Sequence, residues 1–176
     1  MNVKDHLVRS LAKSVEDVFS IMLGASVVVQ PVTFEKGAPD AHDGVVSFIG
    51  VAGSWVGTGC VACSPALACR VCSQMLMTEN TSVNEEVLDA LAELTNMIIG
   101  SVKNDLEQEL GPLGLSIPTV VFGRNFRTKS AGHAEWIVQR FRWDTDELEV
   151  RIWLTPSDRP IPVPSRAAGS SDYVSI

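Results

Sequence analysis

A chain of 176 residues with 45% hydrophobic, 20% charged and 6% aromatic residues suits one domain around one sizeable core, and it is too short for a multidomain enzyme. The 14 basic and 21 acidic residues leave a formal net charge of -7, so a basic patch that could neutralise phosphates is not expected and nucleic acid is a poor partner. Apolar runs such as residues 44–63 are broken by Gly50, Gly53, Ser54, Gly57 and Thr58, short of the roughly 18 uncharged apolar residues of a membrane span, and no association with a membrane is expected. The opening Met1-Asn2-Val3-Lys4-Asp5-His6 mixes both charges into a helical pattern instead of an apolar leader, so a cytoplasmic location with reduced cysteines is the expectation.

In chain order, Val3, Leu7, Leu11, Val15, Val18 and Met22 recur at three- and four-residue steps and predict an amphipathic helix over 3–23, ended by Gly24. Residues 27–34 are β-branched but contain Pro31, which predicts an edge or bulged strand, and a polar turn follows over 36–43. Val45 to Ile49 and Trp55 to Ala62 read as two paired strands, with Gly53-Ser54 able to supply the positive φ of a hairpin turn. Ser64-Pro65 starts a helix that runs to about Met77, because Ser caps free amides and Pro lacks one. Ser82 and Glu85 have capping-box spacing before a long helix that continues to Leu110 and stops at Gly111-Pro112.

Thr119 to Phe122, Trp136 to Trp143 and Glu147 to Leu154 read as strands. Pairing the last two antiparallel around Asp144-Thr145 sets Arg142 against Glu147, Arg140 against Glu149, Phe141 against Leu148, Ile137 against Ile152 and Trp136 against Trp153. Charges and apolar groups both match in that register, and a one-residue slip would break every match. The fold class is α+β. Residues 1–155 form the domain, and the Pro- and Ser-rich residues 156–176 an extended tail.

Cys60-x2-Cys63-x5-Cys69-x2-Cys72 resembles a four-thiolate zinc site, but Cys60 and Cys63 fall at a strand end while Cys69 and Cys72 lie within a helix, with little chain between to fold the pairs together. Buried thiols are the reading, and a cysteine-ligated metal or redox domain is kept as an alternative. Gly57-Thr58-Gly59 lacks the further glycine and lysine of a phosphate loop and reads as strand. His6, His42 and His133 are scattered and read as surface residues, and a Gly-x-Ser-x-Gly motif is absent.

The long helix is more informative. At about 100° per residue, Val87, Leu88, Leu91, Leu94, Ile98, Ile99, Val102 and Leu106 fill a core arc, while Asp89, Glu93 and Asn96 fall opposite within roughly 60° and Gly100 continues their stripe. A mid-helix Gly costs up to about 1 kcal/mol relative to Ala, which suggests close approach by something else. The plainer reading of the stripe is a solvated polar face.

Asp89-x3-Glu93-Leu94-Thr95-Asn96, with Pro118 found 22 positions after Asn96, resembles the motif of the CheC/CheX/FliY family of chemotaxis phosphatases. The order of elements from about residue 3 to 154 agrees, the gap to Pro118 is one residue shorter than the usual count, and a single copy of the motif is most similar to CheX-type members. The resemblance implies an antiparallel-rich sheet with a layer of helices on one face. It implies a phosphatase acting on the phospho-aspartate of a CheY-like response regulator, with Asn96 orienting the attacking water and Glu93 pairing with the regulator's lysine. Asp89 and Gly100 would belong to the docking surface, Mg²⁺ would be supplied by the regulator, and this chain would hold no metal. A homodimer through the sheet and terminal hairpin is also implied. A non-catalytic binding module of the same fold is the other alternative.

Overall fold

The computed structural model describes residues 2–36, 42–128 and 135–158, and His42 through its backbone alone. His133, most of the polar turn over 36–43 and the tail beyond 158 lie outside the described residues. The elements run α1 (Val3–Leu23), β1 (Val28–Val29), β2 (Thr33–Lys36), β3 (His42–Gly53), β4 (Trp55–Cys63), α2 (Pro65–Leu76), α3 (Glu85–Leu110), β5 (Leu113–Leu115), β6 (Thr119–Phe126), β7 (Glu135–Trp143) and β8 (Asp146–Pro156). The strands form one antiparallel sheet in the order β1-β7-β8-β4-β3-β5, with β2 also on β7 and β6 also on β3. The expected α+β class and sheet-with-helices layout are what the chain forms.

Helix limits follow from their caps. The Asn2 side chain accepts from the Lys4 amide at the start of α1, and Gly24 ends it at φ 58°. Ser64 accepts from the Leu67 amide and Pro65 opens α2. The start of α3 corrects the sequence reading: Asn84, not Ser82, is the cap, and its Oδ1 accepts from the Val87 amide at 3.0 Å. Asn caps as well as Ser does, and from position 84 it leaves Glu85 and Glu86 in the first turn, where their charge meets the positive end of the helix dipole.

Pro31 separates β1 from β2, yet both pair with β7 at one edge of the sheet. The terminal hairpin takes the expected register, from Arg142 opposite Glu147 to Ile137 opposite Ile152. Arg140 reaches Glu149 at 2.8 Å, and Trp136 meets Trp153 edge to face at 6.3 Å. The three residues of β5, absent from the sequence reading, pair with the end of β3.

Alternate sheet residues Val45, Ile49, Val61, Val150, Ile152 and Ile137 face the helices and form one core with them. α1 runs antiparallel to α3: His6 lies against Asp105 and Glu109, and Ser14 donates to Ser101 at 3.0 Å. Arg70 ties α2 to the β7–β8 turn by pairing with Asp144 and Asp146, and its guanidinium carbon lies 3.6 Å from the centroid of the Trp143 ring. α3 is seated closely because β4 is small where they meet. A Cβ on Gly59 would come within 2.7 Å of Ile99, a contact that real side chains do not make. A second, smaller cluster of Val46, Cys60, Ala62, Trp136 and Val138 lies on the other face.

Candidate functional site

Asp89, Glu93 and Asn96 are exposed on one stripe of α3, and Gly100 follows, half-buried, on the same stripe. Positions three and four apart on a helix place their Cβ atoms about 5–6 Å from each other, so Glu93 and Asn96 can act on a single ligand atom group. Beneath them Leu91, Leu94, Thr95, Ile98 and Ile99 are buried. The Thr95 hydroxyl donates to the Leu91 carbonyl at 2.8 Å, which satisfies the one polar group on the buried side and leaves it no part in the exposed stripe.

The charges of α3 divide sharply. In its C-terminal half Lys103 pairs with Glu107 at 2.8 Å, Glu107 accepts from the Leu113 amide at 2.9 Å, and Asp105 and Glu109 both hold His6. In its N-terminal half Glu85, Glu86, Asp89, Glu93 and Asn96 make no side-chain hydrogen bond or ion pair among the described residues, apart from what their helical backbone does. Four carboxylates and one amide therefore stand exposed there without an ion-pair partner among the described residues.

At Gly100 the stripe meets the end of β5. A Cβ placed on Gly100 would lie 3.8 Å from Leu115 Cδ1, an ordinary contact, so the fold itself does not require glycine at this position. Beyond Leu115, the Ser116 amide donates to the Gly50 carbonyl at 2.9 Å and the Gly50 amide donates to Ser116 Oγ at 2.8 Å. Ile117 and Pro118 follow, with Ile117 88% exposed. Sequence reasoning singled out Pro118 and passed over Ser116 and Ile117, because the tether that fixes them joins residues 66 positions apart.

The other candidate groups lead elsewhere. The four cysteines are buried free thiols. Cys60 belongs to the outer cluster, whereas Cys63, Cys69 and Cys72 lie in the main core between sheet and helices, so the four do not converge on one point. Burial pushes the thiols of Cys60 and Cys63 up to about 12, which keeps both protonated and unreactive. His6 is a bridge between helices and not the free surface histidine that the sequence suggested.

An antiparallel sheet backed by helices, with an acid and an amide exposed one turn apart on a helix, is what the fold and the site present. The chain matches the chemotaxis phosphatase CheX family over residues 45–142, more than half of its length and a span that includes Asp89, Glu93, Asn96 and Pro118. It belongs to that family. Among curated proteins none matches the sequence significantly. Its fold is similar to that of a CheC-like superfamily protein from Shewanella sp. PV-4, at 24% identity over 88% of this chain and 99% of the other, with a TM-score of 0.76. It is similar also to the chemotaxis protein CheX from Vibrio vulnificus, at 23% identity over 85% and 99% with a TM-score of 0.76. A third structure is the CheX–CheY–BeF₃–Mg²⁺ complex from Borrelia burgdorferi, whose matching chain is 21% identical over 84% of this one and 97% of its own, with a TM-score of 0.67.

Proposed function

We propose that this protein hydrolyses the phospho-aspartate of a CheY-like response regulator. The observation that carries the reading is the pair Glu93 and Asn96, exposed one turn apart and unpaired among the described residues, on a helix whose other half has every carboxylate paired. The Borrelia CheX in complex with CheY and Mg²⁺ supports the choice of partner.

An acyl phosphate is already activated, so positioning a water in line and balancing charge are enough. The Asn96 amide both donates and accepts, and can therefore hold a water against the phosphorus without being basic enough to take its proton. The water oxygen bonds to phosphorus as the bond from phosphorus to the aspartyl oxygen breaks. The regulator's carboxylate is released and the proton leaves with the phosphate. Glu93 pairs with a lysine of the regulator and fixes the register of docking, while Asp89 and Gly100 form the surface around them. Mg²⁺ belongs to the regulator's site, and the four converging ligands a resident zinc would need are not offered by the cysteines.

The working form proposed is a cytoplasmic homodimer joined through the sheet, which leaves α3 open in each protomer. The hairpin aromatics Trp136, Phe141 and Trp143 are buried within the protomer, so they do not supply that interface. Val121 and Phe122 on β6 and Val28 and Phe34 at the opposite edge are exposed and do suit it. Phosphate release from the phosphorylated regulators of the same genome, with and without this protein, tests the function. No acceleration for any of them would refute it.

A further inference from the structure

Ile117 is the most exposed large apolar side chain among the described residues, at 88%. Single exposed apolar residues are common and need no explanation by themselves. This one is distinguished by how it is held. Ser116 is bound to Gly50 through both its amide and its hydroxyl, and the same hydroxyl donates to the Ile117 carbonyl at 3.1 Å. Pro118 fixes the backbone on the other side. The chain thus presents Ile117 to solvent on a pinned segment, so ordering it in a complex loses little conformational freedom.

Its place is equally specific. Leu115, two residues earlier, borders Gly100, and Gly100 is one turn of α3 beyond Asn96. Gly100 and Ile117 are each unfavourable in the free protein, the first for helix stability and the second for solvation, and neither is required by the fold. Gly100 continues the stripe of Asp89, Glu93 and Asn96, and Ile117 lies two residues beyond the Leu115 that borders it. An apolar group held past the end of a stripe that carries free carboxylates and an amide fits a partner with basic residues around its reacting centre and an apolar side chain farther out at its rim.

We propose that Ile117 is an apolar anchor for the phosphorylated receiver domain, seated against the rim of its phosphoryl pocket while Asn96 enters it, and that it helps determine which regulator is accepted. The inference rests on the phosphatase reading above and adds a binding residue outside α3.

The test uses the full chain and the CheY-like receiver that the wild type dephosphorylates fastest. Ile117→Ser is expected to raise KM about tenfold with kcat within about twofold of wild type, and Ile117→Leu to restore most of the loss. Met77→Asn, which removes an 86% exposed apolar side chain at the end of α2, is expected to leave both constants unchanged. An unchanged KM for Ile117→Ser would overturn the proposal. So would an equal effect of Met77→Asn, or a changed oligomeric state of Ile117→Ser by light scattering, since the residue would then serve self-association. If the wild type hydrolyses no receiver, the phosphatase reading falls, and titration with receivers loaded with beryllofluoride and Mg²⁺ decides the anchor separately. Binding weakened about tenfold by Ile117→Ser supports it, whereas unchanged binding, or no binding of any receiver by the wild type, overturns it.

Discussion

The two halves of α3 share one buried arc and differ on the side away from it. From Lys103 to Leu110 every carboxylate has a partner within the chain, whether Lys103, His6 or the Leu113 amide. From Glu85 to Asn96 none has one among the described residues. Both halves are anchored by the same kind of residues, Leu91 and Leu94 in one and Val102 and Leu106 in the other, all buried. The difference shows that the C-terminal half uses its polar residues to hold the fold, while the N-terminal half keeps them available. A substitution on the outer face should therefore change stability in one half and activity in the other.

The largest effect tests the available half. Asn96→Ala should lower dephosphorylation by about 10²–10³-fold, the scale of removing one positioned polar group from a reaction centre. Ala is favoured at an exposed helix position, so the unfolding midpoint should hold or rise slightly. A variant that unfolds earlier would show that Asn96 serves the fold, and one with full activity would remove it from the chemistry.

Glu93→Ala should act through binding, with KM for the regulator up about tenfold and a shallower dependence of binding on salt, because one charge contact has gone. Stability should change by less than about 0.5 kcal/mol, since Glu93 has no partner to lose among the described residues. Equal salt slopes for wild type and variant would count against docking through this residue.

The paired half is tested at His6. Its Nδ1 lies 2.7 Å from Glu109 Oε2 and its Nε2 lies 3.1 Å from Asp105 Oδ2. Only the imidazolium carries N–H on both nitrogens, so this arrangement is complete when His6 is charged. The hydrogen bond to Glu109, opposed by burial and aided by Asp105, raises its pKa above the ordinary 6.5. A raised folded pKa gives stability that is fully present below about 6.5 and lost as pH rises through the folded value. The difference in unfolding free energy between wild type and His6→Gln, on the order of 1 kcal/mol at about pH 5.5, should shrink toward pH 9. A difference that stays flat across that range would show that the clasp is not ionic.

The contrast between the halves was only half legible in the sequence. The core arc and the stripe of Asp89, Glu93, Asn96 and Gly100 follow from helical period alone. The register of the terminal hairpin was legible because its charged and apolar pairs both select the same alignment. Pairing across distance was not. Nothing local joins His6 to Asp105 and Glu109, 99 and 103 positions away, and a lone histidine in an amphipathic helix looks like a surface residue. The helix start was misplaced because Ser82 and Asn84 are both good caps, and only the structure shows that Asn84 holds the Val87 amide. The three residues of β5 are too few to show a period, and the Ser116 tether joins two separate parts of the sheet.

The smallest effect is at Gly100, where the two halves meet, and there the expected changes have opposite signs. An added Cβ finds only Leu115 Cδ1, at 3.8 Å, so Ala fits without displacing anything. Replacing a mid-helix Gly by Ala should then raise unfolding free energy by up to about 1 kcal/mol, seen as a higher denaturant midpoint at constant m-value. The same methyl group stands on the stripe one turn from Asn96, where the proposed docking would bring the regulator against the helix backbone. Gly100→Ala should therefore raise KM a few-fold even as the protein becomes more stable. Stability gained with KM unchanged would restrict the docking surface to residues before Gly100, whereas stability lost would mean that the helix and the β5–β6 segment pack more tightly than the 3.8 Å contact allows.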